Sequence, residues 1–320
     1  MERVSTYNLH QVALSSALNV QAQLANAQTQ EATGLVSTAY GDLGGSKSYE
    51  LLNLEKELNQ AQAQSSNATT VGSRTQAMYS AIGSMTSVLT KLQASLSSAL
   101  SSTDNSNMST IVNGYLTNLV SDMNTQEGGR YLFSGSDTST APVNMSNYSS
   151  TSISASSYDP TVQDFSYYQG DNTDLTVQVD SSTTVTYGIR AGVTTGTTPT
   201  STDPANSFET CIRACECALQ AASTSGSTAT TLYQQAYDLA ASALTKMSNL
   251  QESVSAISNQ LSDASAKQTN YVTLLQSSVS SLKDIDTATV TTQISQYQTQ
   301  LQASYLAVAS INKVNLATYL

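Results

Sequence analysis

The spacing of the apolar residues changes twice along the chain. Near the N-terminus they recur in alternating steps of four and three residues, which is the period of an amphipathic helix. These positions are Leu9, Ala13, Ala17, Val20, Leu24 and Ala27. We predict one helix here that ends near residues 40–45, a turn sequence with three glycines.

A longer seam of the same period follows these glycines and continues for about fifty residues. Its positions are Leu51, Leu54, Leu58, Ala61, Met78, Ile82, Met85, Leu89, Leu92, Leu96 and Leu100. Because helices of this length usually pack side by side, we interpret the seam as intramolecular core. A third helix is predicted on Met108, Ile111, Tyr115, Leu119 and Met123, before the two glycines at 128–129.

The central part of the chain has a different period, close to two residues. Leu175, Val177 and Val179 alternate with polar residues, as do Val185, Tyr187 and Ile189 after the serines at 181–182. This pattern predicts a β-hairpin. All four prolines lie in the same stretch, which argues against long helices there. We expect the Ser/Thr/Asn-rich residues 137–157 to form an exposed loop.

The helical period returns after Pro204. One face carries Leu232, Ala236, Leu239, Ala243, Met247, Leu250, Val254, Ile257, Leu261 and Ala264. A last helix carries Val290, Ile294, Tyr297, Leu301, Ser304, Val308, Ile311 and Asn315. We therefore predict an α+β fold, in which the N- and C-terminal parts form a long antiparallel α-helical coiled coil or bundle with a small central β domain.

Three domains follow from this pattern. We expect terminal helices at 1–45 and 286–320, a helical bundle at 46–130 and 206–285, and a β-rich outer domain at 131–205. The terminal seams are too narrow to build a core alone, so we expect these helices to be disordered in the free chain and paired on assembly. The expected assembly residues are Leu9, Ala13, Ala17, Val20, Leu24, Ile294, Leu301, Val308, Ile311 and Leu320.

Charge narrows the choice of partners. The net charge is −11, and only 11% of the residues are charged. Because such a surface offers little to neutralise phosphates or anionic lipids, we expect neither nucleic acid nor a membrane as a partner. No stretch reaches the ~18 apolar residues of a membrane span, and the start of the chain lacks the apolar run of a secretory signal.

The sequence offers little chemistry. With one histidine, no tryptophan and scattered acidic residues, we expect no enzyme, no cofactor and no metal site. Cys211, Cys215 and Cys217 are an odd number of cysteines within seven residues, which is not a disulfide framework. We interpret them as small buried apolar thiols, with a reactive or cross-linking thiol as the alternative.

Several segments resemble a known family. Residues 3–6 (RVST), 28–34 (QTQEATG), 129–135 (GRYLFSG), 168–171 (YQGD) and 316–320 (LATYL) carry the resemblance. They are similar to the flagellin superfamily, and within it to the family of hook-associated protein 3. In place of that family's Ser-Asp-Asp-Pro segment, residues 40–45 read YGDLGG, a Gly-rich form that resembles alphaproteobacterial relatives.

The resemblance implies a structural subunit of the bacterial flagellum that connects the hook to the filament. Its implied partners are hook-associated protein 1, flagellin, copies of itself and an export chaperone. It also implies an extracellular location, reached by flagellar type III export without a cleaved signal. Filament flagellin is one alternative, and a secreted coiled-coil adhesin is another.

Overall fold

A computed structural model describes residues 2–102, 104–148 and 163–313. Its helices are α1 (Glu2–Thr33), α2 (Gly45–Ser101), α3 (Met108–Met123), α4 (Ala205–Ala222), α5 (Ser227–Lys283) and α6 (Thr287–Lys313). Its strands are β1 (Gln126–Glu127), β2 (Arg130–Tyr131), β3 (Thr176–Gln178) and β4 (Thr184–Thr186). Of the predicted features, residues 149–157 of the loop and residues 314–320 lie outside the described residues.

The chain forms two compact units. One consists of residues 1–60 and 271–320, and the other of residues 61–270. Long helices with a small amount of β structure confirm the predicted α+β class. The three predicted domain ranges remain a prediction.

The helices α2 and α5 are antiparallel within the 61–270 unit. The hydroxyl of Ser65 lies 3.2 Å from that of Thr269, and the hydroxyl of Thr69 lies 3.0 Å from that of Ser265. Residue numbers therefore rise along one helix as they fall along the other. The predicted seam residues of α2 are buried in the main core: Met78, Ile82, Met85, Leu89, Leu92 and Leu96. This burial confirms their interpretation as intramolecular core.

The predicted hairpin is present. Strands β3 and β4 pair antiparallel, with Val177 opposite Val185. Both valines are buried in the same core as the long helices, which explains the alternating pattern. The side-chain amide of Gln268 on α5 donates to the Val179 carbonyl at 3.0 Å, so the hairpin is also tied to a helix by a buried hydrogen bond.

Two of the segments that carry the family resemblance, residues 129–135 and 168–171, meet in space. The backbone N–H of Asp171 donates to the Ser134 carbonyl at 3.1 Å, and the Asp171 carboxylate accepts from the backbone N–H of Ser136 at 2.8 Å. Gly135 lies between them with φ +74°, and a side chain there would collide with Asp171. Only glycine fits this turn without strain.

Three sequence predictions need correction. Helix α1 ends at Thr33, well before residues 40–45, because Gly34 adopts φ +72° and stops it. The loop prediction is wrong at Val143, which is buried because it packs in the main core. The Asn124 side chain bonds both the N–H and the carbonyl of Val143 at 2.9 Å. Helix α4 was not predicted as a separate element, although Phe208, Cys211, Ile212, Cys215 and Leu219 recur at helical spacing.

Candidate assembly interface

Helices α1 and α6 pack against each other. Ala27 on α1 and Val290 and Ile294 on α6 form a small buried cluster, and Leu24 and Tyr297 pack against it. The alanine on α1 leaves room for the helices to approach closely. The two terminal helices therefore pair within one chain. Their disorder in the free chain and their pairing on assembly stay predictions.

A short backbone tie holds one end of this helix pair. The N–H of Val36 donates to the Lys283 carbonyl at 2.8 Å, and the N–H of Ile285 donates to the Gly34 carbonyl at 3.0 Å. The side chain of Gln30 adds a bond to the Val36 carbonyl at 2.8 Å. The chain therefore leaves α1 directly beside the junction of α5 and α6.

A second tie is made by side chains. The two carboxylate oxygens of Glu55 on α2 each accept a hydrogen bond. One comes from the Lys283 ammonium at 3.1 Å and the other from the Tyr40 hydroxyl at 2.8 Å. The same ammonium lies 5.7 Å from the centre of the Tyr40 ring. The hydrogen bond to Glu55 raises the pKa of Lys283 and that of Tyr40, because the carboxylate stabilises the protonated form of each group. We call Tyr40, Glu55 and Lys283 the turn clasp.

The helix pair carries almost no charge. Residues 8–30 of α1 and 287–312 of α6 contain no Asp, Glu, Lys or Arg. A surface of this kind does not repel a second copy of itself, and it offers no partner to a strongly charged ligand. Its chemistry favours close packing of uncharged helices.

Of the predicted assembly residues, Ile294 belongs to the buried cluster between the two helices and Leu24 packs against it. Ala17 and Ile294 are buried, whereas Leu9 is 56% exposed. The other described members are half-buried: Ala13, Val20, Leu24, Leu301, Val308 and Ile311. Leu320 lies outside the described residues. The role of these residues in subunit assembly stays a prediction.

Sequence reasoning missed the apolar residues that remain free on the pair. Val12, Leu14 and Leu18 on α1 and Tyr305 and Leu306 on α6 are exposed. They lie off the periodic seam, so a search for one apolar face passes over them. They can still be recognised in the sequence as large apolar residues outside the seam of a helix segment that contains no charged residues.

The described residues offer neither a metal-binding cluster nor a membrane-spanning helix. No group of three or more His, Cys, Asp or Glu side chains is placed to hold a metal ion. No described helix is both long enough and apolar enough to cross a membrane.

The C-terminal part of the chain matches the model of a known protein family. Residues 237–320 match the family model for the bacterial flagellin C-terminal helical region. This range covers much of α5 and all of α6. The C-terminal part of the chain is therefore similar to the C-terminal helical region of bacterial flagellins.

Two solved structures share the fold. A putative flagellar hook-associated protein from Vibrio parahaemolyticus aligns with a TM-score of 0.57 and 16% identity, over 73% of this chain and 96% of its own. Bacillus cereus FlgL aligns with a TM-score of 0.52 and 16% identity, over 72% of this chain and 98% of its own. No curated protein matches the sequence. At this level of identity the likeness concerns the fold.

Proposed function

We propose that the chain is a non-enzymatic structural subunit of the bacterial flagellum that joins the hook to the filament. The observation that carries the proposal is a flagellin-type C-terminal region at 237–320 within a fold shared with hook-associated proteins. The motifs at 129–135 and 168–171 support the junction role over a filament role, because they resemble hook-associated protein 3. The two motifs also contact each other through Ser134 and Asp171.

Assembly uses the uncharged pair of helices α1 and α6. The seam between them holds the pair together, and the exposed Leu14, Leu18 and Leu306 pack against neighbouring subunits. Copies of the chain surround each other in the junction, with hook-associated protein 1 on the hook side and flagellin on the filament side. An export chaperone covers these apolar residues before flagellar type III export.

Immunogold labelling of intact flagella tests the proposal. An antibody against residues 131–205 is expected to label one point at the hook–filament boundary. A strain that lacks the chain is expected to carry complete hooks without attached filaments. Gold along the whole filament, or normal filaments on the deletion strain, would contradict the junction role.

Filament flagellin is the second candidate, and the flagellin match at 237–320 favours it. It predicts that the purified chain extends filament seeds into long filaments. A junction protein is expected to add to a hook end and stop. Electron microscopy of seeded reactions with the purified chain distinguishes the two.

A further inference from the structure

Helix α4 carries three thiols in the interior of the 61–270 unit. Cys211, Cys215 and Cys217 have no exposed surface, and none forms a disulfide. The Cys211 thiol donates to the Ser207 carbonyl at 3.0 Å, within the helix. The Cys217 thiol donates to the Leu232 carbonyl of α5 at 3.3 Å. All three thiols are thus built into the packing around α4.

No two of these thiols can be joined while α4 is helical. Side chains four apart, such as Cys211 and Cys215, have Cβ atoms ~5–6 Å apart in a helix, but a disulfide needs about 3.5–4.5 Å. Cys215 and Cys217 are two apart and do not face each other. Cys211 and Cys217 are six apart, a rise of about 9 Å along the axis, beyond the ~7 Å limit between Cα atoms.

The unfolded chain has no such restriction. The pairs are separated by four, two and six positions, so flexible backbone brings any two of the thiols together. Burial also raises the pKa of Cys211 and of Cys215, so the folded chain holds both as unreactive thiols. Unfolding exposes them and restores their ordinary reactivity.

We propose that the three cysteines of α4 make folding of the 61–270 unit dependent on the redox state of the chain. A chain whose thiols are reduced folds, and folding then shields the thiols from oxidants. A chain that has formed any disulfide among them cannot build α4 and remains open. Oxidation and folding are therefore mutually exclusive, and whichever occurs first blocks the other.

The chemical step is simple thiol oxidation. Two S–H bonds break and one S–S bond forms, and the two protons and two electrons pass to an oxidant. With diamide as the oxidant, they reduce its N=N bond to a hydrazine. Dithiothreitol reverses the step by thiol–disulfide exchange.

Refolding of the full-length chain tests the proposal. The chain is unfolded in guanidinium chloride, treated with diamide or left reduced, and diluted into buffer, with far-UV circular dichroism and limited proteolysis as readouts. We expect the reduced chain to recover its helix content and the oxidised chain to leave residues 205–222 open to protease. Dithiothreitol is expected to restore folding. Recovery of the native signal by the oxidised chain would overturn the proposal.

Matched variants distinguish the effect of a disulfide on refolding from the effect of losing a thiol. A chain with Cys211→Ala and Cys215→Ala keeps one thiol and cannot form an internal disulfide, so at low protein concentration diamide is expected to leave its refolding unchanged. Inhibition of that variant to the same extent would contradict the mechanism. A second readout is iodoacetamide labelling of the wild-type chain, which we expect to be slowed by about 1,000-fold or more in the native state. Rapid labelling of native protein would also overturn the proposal.

Discussion

The ammonium of Lys283 lies 3.1 Å from the carboxylate of Glu55, although the two residues are 228 positions apart. Lys283 is the last residue of α5, and Glu55 lies in the third turn of α2. Tyr40 closes the group from the turn after α1, through its hydroxyl bond to Glu55 at 2.8 Å. The turn clasp therefore fixes the segment that connects α1 to α2.

Removing the ammonium should loosen this segment. We expect Lys283→Met to speed amide exchange several-fold at residues 34–44, because Tyr40 and Glu55 lose the charge that holds them together. The effect on global unfolding should be small, since exposed ion pairs contribute little to stability. Hydrogen exchange followed by mass spectrometry measures both effects.

Lys267→Met is the matched control for the clasp. Lys267 is largely exposed and lies 3.8 Å from Asp180, a longer and looser pair. This variant should leave exchange at residues 34–44 unchanged. Equal exchange rates in wild type and Lys283→Met would show that the backbone tie alone holds the turn.

The exposed leucines of the helix pair should matter for assembly and little for the isolated chain. Leu18 is 57% exposed and Leu306 is 73% exposed. We expect Leu18→Ser with Leu306→Ser to leave the unfolding transition within about 0.5 kcal/mol of wild type. Incorporation into flagella should fall several-fold, because each change removes apolar contact area from the proposed interface.

The control for that change is Ile111→Ser on α3. Ile111 is also an exposed apolar residue, but it belongs to the 61–270 unit, whereas α1 and α6 belong to the other unit. Quantitative blotting of purified flagella compares the variants. If Ile111→Ser reduces incorporation as strongly as the leucine changes, the helix pair is not the specific interface.

A buried tyrosine tests the core around the hairpin. The Tyr167 side chain is fully buried, and its hydroxyl donates to the Ala191 carbonyl at 2.9 Å. Tyr167→Phe keeps the ring but leaves that carbonyl without its donor. We expect a loss of about 1–3 kcal/mol in the free energy of unfolding. Urea titration measures it, and Tyr79→Phe, at an exposed position, should change it by less than about 0.5 kcal/mol.

The parts of the fold that the sequence predicts are those with one apolar face. The long seams of α2 and α5 and the alternation at Val177 and Val185 each have a buried side and a polar side, so periodicity reveals them. Helix α4 also has an apolar face, at Phe208, Cys211 and Ile212, so its periodicity was available and was overlooked. What periodicity does not predict is that the polar side of α4, with Glu209 and Arg213, is buried as well.

The interface was predicted less completely than the fold. The pairing of α1 with α6 follows from their seams, as the buried Ala27 and Ile294 illustrate. The exposed positions of Leu18 and Leu306 cannot be predicted from periodicity, because periodicity identifies the side chains that a helix buries within its own chain. The turn clasp was also missed, because no local sequence pattern shows that Tyr40, Glu55 and Lys283 come together.

The stability of the 61–270 unit should depend on pH through Glu209. Its carboxylate lies 3.2 Å from the Arg213 guanidinium, with Lys246 and Asp164 also nearby. Burial raises the pKa of Glu209 to about 7 from its ordinary 4.5, against the lowering effect of Arg213. Burial also raises the pKa of Glu216, in the same direction.

A raised carboxyl pKa means that the folded chain binds the proton more tightly than the unfolded chain. This contribution to stability is complete below pH 4.5 and is lost as the pH rises through about 7. We expect the free energy of unfolding to fall by up to roughly 3 kcal/mol across that window. Glu209→Gln should flatten most of the slope in urea titrations from pH 4.5 to 8. An unchanged slope in this variant would assign the effect to other groups.

Amide exchange should separate the terminal helices from the long central ones. Among the described residues, the buried cluster between α1 and α6 contains only Ala27, Val290 and Ile294, whereas the core of the 61–270 unit includes Met78, Leu89 and many more fully buried side chains. Because local opening requires less free energy where less apolar surface is buried, exchange in dilute monomer should be fast over 8–30 and 288–311 and slow over 78–100. Incorporation into flagella should slow exchange in the terminal helices toward the rate of the core. Strong protection of both terminal helices in the monomer would mean that they are ordered before assembly, and the proposed coupling of their folding to docking would then be wrong.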